Sequence, residues 1–169
     1  MERNNNKGFS MVELIVTIAI MAILTGSFVS AAGYLKYANA KAGAKKVNTQ
    51  LSELRIDSMS KMQTPYMYLY NISGNTYMKV VTGNNANAAT ISNGILDKNT
   101  TKVGNTQIKV SCDGTVISAG NQVQISMNKS TGAFQPSAPD EIKVESLDGS
   151  KSYTITLIKS TGRHSMEEN

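Results

Sequence analysis

The sequence holds no tryptophan, one cysteine, one histidine and three prolines among its 169 residues. A single thiol, Cys112, excludes an internal disulfide and leaves no partner thiol for a metal site. Cys112 therefore reads as a small buried hydrophobe. The one histidine, His164, stands beside Arg163 in a polar carboxy-terminal stretch and reads as a solvated tail residue. With the acids scattered, no cluster has metal-ligand spacing and no acid–base pair stands in an apolar setting. "TGNNANAAT" (Thr82–Thr90) has the look of a loop, but it lacks the Lys-Ser/Thr ending of a phosphate-binding loop. The chemistry of an enzyme is not legible here, and no cofactor is expected. Charge of one sign is also short of what nucleic acid binding demands. Lys and Arg total 17 against 12 Asp and Glu, a net charge of +5, which permits contact with anionic surfaces without requiring it.

What the chain does have is a long apolar run. No charged residue occurs from Leu14 to Leu35, a stretch that spans about 33 Å as a helix, enough for a bilayer core. It is apolar on every side, so it belongs in lipid or against other apolar helices. Ahead of it lies a short leader with Arg3 and Lys7, and one acid, Glu13, stands near its start. A secretory signal peptide is one reading, with "VSAAG" (Val29–Gly33) as the exit site, although the run is long for a signal core. A plain signal anchor is another. It leaves Glu13 unexplained, since an acid at the centre of a membrane helix costs about 2.5–3.5 kcal/mol on insertion scales and something less near an end.

The order Gly8, Phe9, Glu13 (fifth counting from Phe9) and then an unbroken apolar helix resembles the prepilin signal of type IV pilins and type II secretion pseudopilins. The resemblance implies that a membrane prepilin peptidase cuts between Gly8 and Phe9 and that Phe9 is then N-methylated. It also gives Glu13 a role in subunit assembly: the acid pairs with the new amino terminus of a neighbouring subunit, and buried charge survives in membranes when paired. The implied partners are other pilin or pseudopilin subunits, the peptidase and methyltransferase, an inner-membrane assembly platform and membrane lipid. The implied location is the cytoplasmic membrane, single-pass with the amino terminus cytoplasmic, then a surface or periplasmic filament. One departure is the lack of a helix-breaking Pro in the run. Another is that Lys36, Lys41, Lys45 and Lys46 follow it, so the positive-inside count alone does not favour that orientation.

Beyond Leu35 the helical pattern continues. Tyr37, Ala40, Ala44, Val47, Leu51, Leu54 and Met62 form an amphipathic stripe. The stripe ends at "QTP" (Gln63–Pro65), because the residue before Pro disfavours the helical region. From Pro65 the texture is that of strands and polar turns. "YMYLYNI" (Tyr66–Ile72), "SGN" and "TYMKVV" (Thr76–Val81) predict a hairpin. Thr82–Gly94 predicts an exposed loop. "TQIKVSC" (Thr106–Cys112) and "TVIS" (Thr115–Ser118) flank the turn Asp113-Gly114. "QVQISMN" (Gln122–Asn128) alternates as a strand, and Lys129–Glu141 predicts a loop. Ile142–Leu147 and Ser152–Lys159 flank Asp148-Gly149 as a last hairpin. Tyr66, Tyr68 and Tyr70 share one face, which reads as a packed strand face before a stacking platform.

The predicted fold is α+β, a pilin fold: a leader at 1–8, an apolar membrane half of the helix at 9–35, an amphipathic half at 36–64, and an antiparallel β head domain at 65–169. "QLSELRIDSMSKMQTPYMYL", "ISMNKSTGAF" and "YTITLIKSTGR" with Gly162-Arg163 loosely resemble GspH/FimT-type minor pilins. That implies a low-copy structural subunit of a type IV pilus or a type II secretion pseudopilus. The alternative is a DNA-binding minor pilin of a competence pilus. Its contacts would come from the basic end, Lys151, Lys159, Arg163 and His164, with Lys159 and Arg163 foremost. Phosphate binding needs several such charges on one face, and a solvated basic end is the simpler reading.

Overall fold

The computed structural model describes residues 10–83 and 99–169, with their side chains except at 27–34 and 36. The leader with Gly8 and Phe9, and the predicted loop from residue 84 onward, lie outside the described residues. The chain divides into two units, Met1–Leu35 and Lys36–Asn169. One helix, α1 (Met11–Ser60), contributes residues to both. It starts where the Ser10 carbonyl accepts the Leu14 amide at 3.1 Å. It ends at Ser60, a few residues short of Pro65.

In the second unit the strands form two antiparallel sheets, not the single sheet that the sequence predicts. The first has the order β3-β2-β1-β6, from β1 (Tyr66–Ile72), β2 (Asn75–Val81), β3 (Thr100–Gly104) and β6 (Gln122–Ser126). The second has the order β5-β4-β7-β8-β9, from β4 (Ile108–Cys112), β5 (Thr115–Val116), β7 (Glu141–Ser146), β8 (Ser152–Ile158) and β9 (Arg163–Glu168). Two of the tight turns are where their residues predict them. Ile72 pairs with Asn75 across Ser73-Gly74, and Cys112 with Thr115 across Asp113-Gly114. The φ values are 50° and 79° in the first turn and 49° and 76° in the second. Positive φ at both central residues is the twist-matched hairpin geometry, which favours Gly, Asn and Asp.

One continuous core lies under α1. Ala40, Ala44, Val47, Leu51 and Leu54 of the helix are buried with Met67, Leu69 and Ile125 of the first sheet and Val110, Ile142, Val144 and Ile155 of the second. The helix stripe is completed by Ser58, fully buried, whose hydroxyl donates to the Leu54 carbonyl at 2.7 Å and so needs no partner from elsewhere. Met62, predicted to belong to the stripe, is 93% exposed, because the helix has already ended. Tyr68 and Tyr70 are buried, so this face packs and offers no stacking platform. Cys112 is buried as expected, and burial, with the neighbouring Asp113 charge, pushes its thiol up to about 12.

Two strands were not legible in the sequence. The stretch read as a solvated tail is β9, which pairs along its length with β8, from Ile158↔Arg163 to Tyr153↔Glu168. The segment 100–104, unassigned by pattern, is β3 against β2. Both are edge strands with a single apolar residue each, Met166 and Val103. Such strands are made by the neighbour that pairs with them rather than by an alternating pattern of their own.

The two sheets and the helix meet at Ile108. A Cβ placed on Gly43 of α1 would stand 3.0 Å from Ile108 Cδ1 and 3.2 Å from the Val103 carbonyl oxygen, and one on Gly104 would stand 1.8 Å from Ile108 Cδ1. The isoleucine fills the space of two absent side chains. Gly104→Ala is expected to destabilise the fold by about 1–3 kcal/mol through overpacking, and Ile108→Ala by about 2–5 kcal/mol through the cavity it leaves. The double variant should lose less than the sum of the two, by about 0.5–3 kcal/mol, because each change relieves the other. Urea unfolding of the four proteins measures the coupling, and strict additivity would contradict this packing.

Candidate processing and assembly site

The described part of the first unit is the start of α1. Ser10 is the helix cap, and Met11, Val12 and Glu13 follow as its first three residues. Glu13 thus occupies the third helical position of a Ser-x-x-Glu pattern. A carboxylate there lies at the positive end of the helix dipole, an effect worth about 0.3–1 kcal/mol at an exposed site. The spacing from Ser10 carries this local reason for an acid at residue 13, which charge alone does not show. Glu13 is exposed and has no ion-pair partner among the described residues.

The residues that follow are apolar and uncovered. Ile15, Ile18, Met21 and Ile23 are 61%, 59%, 67% and 72% exposed. The two hydroxyls among them are satisfied within the helix: Thr17 Oγ1 donates to the Leu14 carbonyl at 2.8 Å and Thr25 Oγ1 to the Met21 carbonyl at 2.6 Å. Every polar side-chain atom between Leu14 and Gly26 is thereby provided for without water, as an apolar environment requires. Among the described residues no helix is long and apolar enough to cross a membrane. The side chains at 27–34 that continue the apolar sequence lie outside the described residues.

The basic end is less free than its sequence suggests. Lys159 forms an ion pair with Asp140 at 2.9 Å, and Lys151 one with Glu168 at 3.4 Å. Arg163 is exposed at the start of β9, one residue beyond the turn from Lys159 to Gly162. His164 is not a solvated residue. It points from β9 onto α1, with Nε2 at 3.1 Å from the Asn48 carbonyl oxygen and 3.2 Å from Ser52 Oγ, and its ring meets Phe134 edge-on at 6.5 Å. Its Nδ1 is buried without a hydrogen-bond partner among the described residues. The four groups therefore do not present four free cations on one face.

A further polar cluster was not anticipated. Lys41 Nζ donates to Tyr37 Oη at 3.0 Å, one helical turn away, and Tyr37 Oη donates to Glu168 Oε2 at 3.4 Å. The hydrogen bond from Lys41 lowers the Tyr37 phenol below its usual range. Lys151 closes the group through its pair with Glu168. The cluster fastens the last strand to the helix, and the i, i+4 spacing of Tyr37 and Lys41 was the only sequence signal for it.

A family model described as the prokaryotic N-terminal methylation motif matches residues 3–29. No curated protein and no solved structure matches the chain. The matched stretch takes in Gly8, Phe9 and Glu13 and supports a prepilin-type chain, a pilin-like or pseudopilin subunit made as a membrane-anchored precursor.

Burial of His164, reinforced by the Arg55 charge and opposed by the hydrogen bond to the Asn48 carbonyl, lowers its pKa below the usual value near 6.5. The neutral ring is the form that packs. Its contribution to stability is complete above about pH 6.5 and is lost as the pH falls through the lower folded-state value. Thermal unfolding between pH 7 and pH 5 should show a falling midpoint, and His164→Gln should flatten that slope while lowering stability at pH 7. An unchanged slope would place the sensitivity elsewhere.

Proposed function

We propose that the chain is a minor pilin or pseudopilin of the GspH/FimT kind, a structural subunit of a type IV pilus or of a type II secretion pseudopilus. The observation that carries this reading is the methylation motif at residues 3–29, which takes in the start of the 50-residue helix with Glu13 in its first turn. On this reading prepilin peptidase cuts after Gly8, Phe9 becomes the methylated amino terminus, and the apolar start of α1 holds the precursor in the membrane and then packs against other subunits. The chain works as a scaffold and not as an enzyme. Its partners are other pilin-type subunits, the processing enzyme and the assembly platform. The head is exported, an orientation set by the processing signal rather than by the lysines after the run. The uncovered apolar residues between Met11 and Leu24 support this, since they need lipid or neighbouring helices around them.

Intact mass and amino-terminal sequencing of the membrane-extracted protein are expected to give N-methyl-Phe9. Gly8→Val is expected to leave the full-length precursor uncut. A mature chain that begins at Met1, or near residue 34 after a signal-peptidase cut, would refute the reading. Glu13→Ala should leave membrane insertion intact and reduce incorporation into filaments several-fold, as measured by fractionation of sheared filaments. Equal incorporation would deny the acid an assembly role.

A further inference from the structure

The last strand, β9, is the outer edge of its sheet, with β8 on one side. The Asn169 amide donates to the Ser152 carbonyl at 2.9 Å. That contact fixes the alternation of the ladder. In the register Tyr153↔Glu168 to Ile158↔Arg163, residues 163, 165 and 167 direct their backbone groups at β8. His164, Met166 and Glu168 therefore direct theirs at the open edge. Among the described residues no other segment bonds to these groups. The side chains alternate in the same way. Those of His164 and Met166 face the core, while Arg163, Ser165 and Glu167 are exposed on the outer face.

An open edge of this kind invites a further strand, and the charges on its outer face say which. An antiparallel neighbour must set edge-directed residues against edge-directed residues, so a second copy of β9 has few registers to choose from. Pairing His164 with Met166 of the second copy brings Ser165 opposite its own equivalent and Arg163 opposite Glu167, twice, on one face. Sliding the copy by one such step in either direction removes both charge pairs. Arg163 and Glu167 have no ion-pair partner within the chain among the described residues, so both are available. Glu168, already held by Lys151, lies on the opposite face and does not compete.

We propose that two copies of this chain associate through the open edges of β9, antiparallel and two-fold symmetric about Ser165, with Arg163 of each copy facing Glu167 of the other. Such an isologous contact joins the head domains of two subunits. Because Tyr37 of α1 meets Glu168 and Ser52 meets His164, α1 runs antiparallel along β9, and the two-fold sets the helices of the two copies antiparallel. The contact is therefore one between heads that do not share a helix bundle.

Ser165→Cys in the full chain, held in detergent micelles, tests this directly. Opposed residues at a non-hydrogen-bonded position have Cα atoms about 4.5 Å apart, within the range a disulfide spans. The native Cys112 is buried, so the new thiol is the reactive one. Mild oxidation should give a disulfide-linked dimer, faster than for Asn121→Cys on an exposed turn outside β9. Adding Arg163→Glu should slow the cross-link several-fold, because like charges then stand opposite at both ends. Adding Glu167→Arg as well should restore it. Cross-linking at Ser165→Cys no faster than at Asn121→Cys would overturn the proposal, and so would a rate indifferent to the charge changes. The charge variants are on the exposed face, and unchanged thermal unfolding confirms that a lost cross-link reflects lost pairing.

Discussion

The head depends on how closely the helix backbone can approach both sheets at once. At Gly43 the neighbours within reach of a Cβ come from three places: the Val103 carbonyl of the first sheet, and Ile108 and Val144 of the second. Ala40, about one turn before it, and Ala44, the next residue, are fully buried. Small residues thus line the stretch of α1 where the sheets converge, and larger ones, Val47, Leu51 and Leu54, follow. The same point is where the chain passes from one sheet to the other. β3 ends at Gly104, the Ile108 amide returns to the Asn105 carbonyl at 3.2 Å, and β4 begins at Ile108. A tight link between strands of different sheets places Ile108 against the helix. Its side chain fits only because residues 43 and 104 have none.

This geometry explains which parts of the fold the sequence displays. The turns Ser73-Gly74 and Asp113-Gly114 are set by local backbone preference, and each lies where its residue types put it. The strands that flank these turns, β1, β2 and β4, carry β-branched or aromatic residues at apolar positions and are visible for the same reason. The division into two sheets is not local. It depends on the approach of α1, and nothing in the alternation of β1 or β7 says which sheet either joins. β3 and β9 are invisible for a related reason. "TTKVG" and "RHSMEE" carry little apolar content, and their strand form rests on pairing with β2 and β8.

His164 illustrates how far composition can mislead. A lone histidine among charged residues reads as solvated, yet alternation along β9 turns it onto α1, where an otherwise occupied helix carbonyl and a serine hydroxyl receive it. Glu168, two turns of the pleat further on, is turned the same way and meets Tyr37. Between them Met166 packs on the core. The inward face of β9 is therefore a sequence of one ring, one thioether and one carboxylate, each matched by a residue of α1 or by the core. The supposed tail is the strap that closes the second sheet over the helix.

Glu13 is legible for a different reason: it stands out against its surroundings instead of blending into them. Its position in the first turn of α1 lowers the local penalty of a carboxylate through the helix dipole. That is a property of the isolated chain and would serve any helix. It does not account for the acid's company, the uncovered residues from Met11 to Leu24, which call for surroundings poor in water. In such surroundings a carboxylate without a cation remains costly even at a helix start. The dipole makes the acid tolerable, and only a positive group brought to it makes it favourable. Under the proposed processing that group arises at Phe9, just ahead of the helix. The cut that exposes the amine is then also the event that gives the acid a charge to pair with, and it ties the timing of assembly to maturation.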